Sequence, residues 1–139
     1  MGKVILTDAF IEIDGVDLSN HANQVTMELP DDEVEVSGFG SAYKEYGKGL
    51  SDATITVTFI QDFATGEVDD TLWPLKSTTT PFDVVIRPTS AAVGAENPEY
   101  TMQSLMYNYA PVSGGLGEAS TTEVSFRNAS QAGIVRATS

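Results

Sequence analysis

At 139 residues the chain has one domain's length, and seven Lys and Arg against twenty Asp and Glu leave a net charge of −13. That balance argues against a protein that grips nucleic acid through its phosphates, although it permits one that works beside DNA without holding it. The sequence has no cysteine, which removes disulfides, thiolate metal sites and cysteine nucleophiles together.

An apolar fraction of 41% is enough for a packed core, so residues 1–139 are expected to form a single domain. The opening MGKVILTDAF does not read as a signal peptide. No segment approaches the roughly 20 apolar residues of a membrane span, and no membrane partner is expected.

In chain order, AFIEI (9–13) runs into Asp14-Gly15, a hairpin signal. QVTMEL (24–29) alternates Val25, Met27 and Leu29 against Gln24, Thr26 and Glu28. After the turn PDD, EVEV (33–36) alternates again. The two are expected to pair as a second hairpin with Glu28, Glu33 and Glu35 on its polar face.

SGFGSAYKEYGKGLS (37–51) carries four glycines and the aromatics Phe39, Tyr43 and Tyr46, and reads as a long flexible loop. In DATITVTFIQDF (52–63), Thr54, Thr56 and Thr58 alternate with Ile55, Val57 and Phe59, the period of a half-buried strand. Its second face is uncharged, whereas a free strand edge is usually blunted by charge.

GEVDDTLWPLKS predicts a short α-helix over about 67–77, with Val68, Leu72 and Leu75 on one face and acids in the first turn. Pro74 keeps it short or kinked, and Trp73 is expected to anchor it in the core. PFDVVIRP (81–88), EYTMQSLMYNYAP (99–111) and TTEVSFRN (121–128) read as strands, and GIVRATS as a short closing one. The expectation is a mainly β protein of about eight strands with one flanking helix.

Chemistry is hard to find. His21 is the sole histidine; without cysteine it offers no zinc site of the usual kinds, no G-x-S-x-G accompanies it, and it reads as a turn residue. The run ELPDDEVE holds Glu28, Asp31, Asp32, Glu33 and Glu35. It lacks the spacing of a calcium loop, and no spacing supports a glycosidase pair. The glycines of 37–51 match no phosphate-binding motif. No catalytic residue, metal or cofactor is expected, and the chain does not read as an enzyme.

The order of segments resembles the major tail tube proteins of long noncontractile-tailed bacteriophages. The resemblance is carried by VILTDAFIEIDGVDLSNHANQVTMEL, SGFGS, LSDATITVTFIQDF, VDDTLWPL, PFDVVIRPTSAA, NPEYTMQSLMYNYAPVSGGLGEAS and TTEVSFRNA, almost the whole chain. It implies a β-sandwich or barrel-like subunit with one flanking helix. Subunits of that family join as hexameric rings, which stack into a tube through which DNA is ejected into the host.

The implied partners are further copies of the chain, a tape measure protein, other tail proteins, and genomic DNA in transit without sequence-specific binding. The implied location is the virion tail, assembled in the host bacterial cytoplasm. On that reading Glu28, Asp31, Asp32, Glu33 and Glu35 line the lumen and repel phosphate. Phe39, Tyr43 and Tyr46 bridge rings, and the strand bearing Thr54, Thr56 and Thr58 forms the inter-subunit seam. The competing expectation is an acidic β-sandwich binding or decoration module for carbohydrate or protein.

Overall fold

The computed structural model describes residues 3–139. Ten strands and one α-helix are found among them: β1 (Phe10–Ile13), β2 (Val16–Asp17), β3 (Ala22–Glu28), β4 (Asp31–Glu35), β5 (Tyr46–Ser51), β6 (Thr54–Ile60), α1 (Val68–Ser77), β7 (Phe82–Arg87), β8 (Glu99–Met106), β9 (Thr121–Asn128) and β10 (Ile134–Ala137). A single 3₁₀ turn, Ser19–His21, links β2 to β3.

The first hairpin forms as its turn demands. Asp14 and Gly15 both take positive φ, 50° and 83°, the two left-handed residues of a type I′ turn. Ile13 then pairs with Val16, and Glu12 with Asp17.

Eight strands form one antiparallel sheet in the order β2-β1-β7-β8-β9-β6-β3, with β10 joined to β8. Strand β8 joins the parts of this sheet. One of its edges carries β7. The other is shared: β10 pairs along Glu99–Met102 and β9 along Ser104–Met106.

The strands bury alternate side chains into one core, which includes Ile11, Ile13, Ile55, Val57, Phe59, Val84, Met102, Val124 and Phe126. Phe82 and Phe126 meet edge to face at 5.9 Å, a favoured aromatic geometry. Helix α1 contributes Val68, Leu72 and Leu75 to the same core, the face its spacing predicted. It continues through Pro74 to Ser77. Asp70 reaches back to accept from the Gly66 N–H at 2.9 Å, tying the first turn to the residue before the cap.

Several expectations are corrected. β3 does not pair with β4: it pairs with β6, from Ala22 opposite Phe59 to Glu28 opposite Thr54. β4 turns away and pairs with β5 as a separate two-stranded ribbon. The loop predicted over 37–51 is therefore only residues 37–45, with Tyr46 inside a strand. Trp73 is 62% exposed and lies outside the core, because it sits between the buried positions Leu72 and Leu75 and faces away from them. The strand read over 99–111 stops at Met106.

Thr122 is a polar defect in the core. It is 1% exposed, and its hydroxyl has no hydrogen-bond partner. A buried hydroxyl without a partner is costly, whereas a methyl of the same shape is not. Thr122→Val is therefore expected to raise unfolding stability by about 1 kcal/mol, read as a higher urea midpoint at unchanged slope.

Candidate assembly interface

The ribbon β4–β5 projects from the body. Its base is closed by Asp52 N–H to the Pro30 carbonyl at 2.8 Å, and its tip begins where Val36 N–H bonds to the Glu45 carbonyl, also at 2.8 Å. Asp31 opposes Ser51 and Glu33 opposes Lys48, so a bulge lies between. Gly49 sits at this bulge. A Cβ there would come within 3.0 Å of the Asp32 Cβ and 3.1 Å of a Val34 methyl. A side chain there would require these neighbours to give by a few tenths of an ångström.

Strand alternation gives the ribbon two faces. Val34 and Val36 share one with Gly47 and Gly49; Glu33, Glu35, Tyr46 and Lys48 share the other. Every residue of β4 is exposed, and in β5 only Gly47 is partly covered. Phe39 and Tyr43 stand on the tip, fully open to solvent. Lys48 bridges to Asp31 at 3.2 Å. The Ser51 hydroxyl, followed by Lys48, holds the Asp31 carboxyl below its ordinary value. A two-stranded ribbon is marginal in water by itself, and nothing else among the described residues covers this one.

The acids of 28–35 are thus divided. Glu28 belongs to the large sheet, opposite Thr54. Asp31, Asp32, Glu33 and Glu35 all lie on the ribbon. They do not form one polar face, since Leu29 and Pro30 carry the chain from one sheet to the other.

The threonine strand is also placed differently from its expected seam position. β6 has β3 on one edge and β9 on the other, so Thr54, Thr56 and Thr58 have no free backbone with which to join a neighbour. Their side chains form the middle of a polar face. Thr26 and Ser125 flank Thr56, and the Thr56 and Ser125 hydroxyls lie 3.2 Å apart. Glu28, Glu123 and Arg127 are the charges of this face on β3 and β9, and Arg127 is drawn to Asp52 at 3.3 Å. β3 ends the sheet on this side and keeps one edge unpaired, as β2 does at the other end. Uncharged alternation marked this face in the sequence, but which strand ended the sheet was not readable locally.

Behind the sheet, α1 is pinned at its start. Asp69 N–H donates to the Asp62 carbonyl at 3.1 Å, and the Tyr109 hydroxyl donates to Asp69 at 2.7 Å. The Gln61 amide donates to the Tyr109 oxygen at 3.0 Å and to the Pro111 carbonyl at 2.7 Å. His21, read as a turn residue, does sit in the 3₁₀ turn, but its Nε2 also lies 2.9 Å from Asp62 and 3.2 Å from Glu67. The Ala64 N–H, then His21, hold the Asp62 carboxyl below its ordinary value. No local sequence signal joins residues so far apart.

No protein-family model and no curated protein matches the chain. Solved structures do. A chain of the native gene transfer agent (GTA) virion superimposes with a TM-score of 0.73 at 11% identity, over 94% of this chain and 95% of that one. A chain from the sheath/tube terminator of PVC, an extracellular contractile injection system in its extended state, gives 0.72 at 13% identity, over 97% and 96%. A chain from the tail of an empty GTA particle, refined with C6 symmetry, gives 0.65 at 10%, over 86% and 82%. The chain has a tube-like phage tail fold.

Burial, and behind it the Asp69 carboxylate, push the Tyr109 hydroxyl up to about 12 from 10.0, against the opposing pull of the Gln61 amide. A group whose folded value is raised favours folding below its unfolded value and loses that contribution as pH climbs toward the folded one. Stability should therefore fall between about pH 10 and pH 12. Tyr109→Phe should cost about 1 kcal/mol at neutral pH through the lost hydrogen bond. It should also flatten the alkaline fall, measured by urea unfolding across that range.

Proposed function

We propose that this protein is the repeating subunit of a phage-type tail tube. Copies join side by side into hexameric rings, and the rings stack into a conduit for DNA. The observation that carries this reading is the unsupported ribbon on a tail-tube fold: Val34, Val36, Phe39, Tyr43 and Tyr46 are exposed on an element that needs a partner to be stable. The sixfold symmetry of one structural neighbour, the GTA tail, supports the ring size.

The free edge of β3 is the seam in this reading, since a ring closed edge to edge leaves no strand unpaired. The polar face of β3, β6 and β9 is the wall of the bore. Thr54, Thr56 and Thr58 line it with hydroxyls, and Glu28 and Glu123 keep phosphate from settling. A wall dominated by Lys and Arg would instead bind the duplex at each phosphate contact. Asp31, Asp32, Glu33 and Glu35 act through the ribbon, adding to a field that repels DNA near the rim. The ribbon tip, with Phe39 and Tyr43, reaches the adjoining ring. The tape measure and other tail proteins are the remaining partners, in a tail assembled in the host bacterial cytoplasm.

Assembly should be salt-assisted, because subunits of charge −13 repel one another across a Debye length that shrinks from about 10 Å at 0.1 M to about 3 Å at 1 M. Negative-stain electron microscopy of the purified protein across a salt series is expected to show rings or tubes, more abundant at high salt. A protein that stays monomeric at millimolar concentration in 1 M salt would contradict the reading, as would a tube reconstruction with the β3–β6–β9 face outside the bore.

Replacing Phe39, Tyr43 and Tyr46 together with Ser should change unfolding stability by less than about 1 kcal/mol, since all three are exposed. It should nevertheless abolish stacking. Tubes of normal length from the triple variant would remove the tip from the inter-ring contact.

A further inference from the structure

We propose that His21, Asp62 and Glu67 form a binding site for one divalent transition-metal ion of the zinc type. The three come from three places: the 3₁₀ turn before β3, the segment after β6, and the residue capping α1. One ligand atom from each, the imidazole nitrogen and two carboxylate oxygens, lies within 4.8 Å of the other two.

The argument begins with a shortage of protons. His21 Nε2 lies 2.9 Å from Asp62 Oδ2 and 3.2 Å from Glu67 Oε2. A ring nitrogen carries at most one hydrogen, so it can serve one of these oxygens well but not both. The carboxylates meanwhile repel each other across the same small space. An ion of charge +2, bound to the bare nitrogen and one oxygen of each carboxylate, satisfies all three groups at once.

The donors are also held in place. The second oxygen of Asp62, Oδ1, accepts from the Ala64 N–H at 2.9 Å, which leaves Oδ2 aimed at His21. The Asp62 carbonyl accepts from Asp69 N–H, and Glu67 N–H donates to the Ala64 carbonyl, so the backbone of both carboxylates is fixed. Carboxylate ligands oriented by such outer bonds are typical of protein metal sites.

One imidazole and two carboxylates make a mixed N/O set, suited to Zn²⁺, Co²⁺ or Mn²⁺ with water completing the shell. Mg²⁺, which prefers oxygen and keeps its waters, should bind far less well. His21 Nδ1 is enclosed and has no partner. With Nε2 on the metal, that nitrogen carries the proton and lacks the outer hydrogen bond common in tight sites, whose loss costs about 10- to 100-fold in affinity. The site is thus a modest one, which the ion would use to tie the turn before β3 to the start of α1.

The sole histidine is its own reporter. Titrating Zn²⁺ into the intact protein should shift the His21 ring protons in the NMR spectrum with one ion bound per chain. Mg²⁺ at the same concentration should leave them unmoved. Co²⁺ should develop a visible absorption band that Zn²⁺ abolishes. His21→Gln and Glu67→Gln should each weaken Zn²⁺ binding at least tenfold in calorimetry, while circular dichroism verifies their folding. Unshifted His21 protons at a hundredfold excess of Zn²⁺, or unchanged affinity in both folded variants, would overturn the site.

Discussion

The edge of β8 is shared by two strands, and the body of the molecule follows from that sharing. Four residues of β8 serve β10 and the last three serve β9. The two follow one another along this edge, and the Ala129 N–H to Gln103 carbonyl bond fills the step between them. The result is a core closed by backbone hydrogen bonding along β8, with α1 contributing Val68, Leu72 and Leu75. At the two ends of the sheet, β2 and β3 each keep one edge open.

Much of this was legible where the physics is local. The period of two in Ile55, Val57 and Phe59, and in Val124 and Phe126, marked buried faces that are fully enclosed. Asp14-Gly15 specified its turn through backbone sterics alone. The helix followed from the 3.6-residue spacing of Val68, Leu72 and Leu75. What failed was partner choice. Alternation in 24–29 and 33–36 is the same whether the strands pair together or with others, and proximity in sequence favoured the wrong partner. Trp73 misled through its size: aromatic bulk suggested the core, while the helical period had already filled the inward positions.

The division of acids has its own logic. On the ribbon, carboxylates alternate with valines, so an apolar face can stay in solution until a partner covers it. On the large sheet, hydroxyls dominate around Thr56 and charge is sparse. The same composition is therefore distributed differently on the two elements. A net charge of −13 averages over both and distinguishes neither.

The registers also set an order of events in folding. Thr54 pairs with Arg127 and Glu28 with Thr54, contacts that require much of the chain and make closure of the large sheet comparatively slow. Glu35 meets Tyr46 across a short tip, so the ribbon is the part able to take shape first. A ribbon formed in that interval is marginal by itself and presents Val34 on a body that is still incomplete. Asp31, Asp32, Glu33 and Glu35 then act as gatekeepers, keeping newly made chains from zipping together through their ribbons before each has a finished sheet to offer.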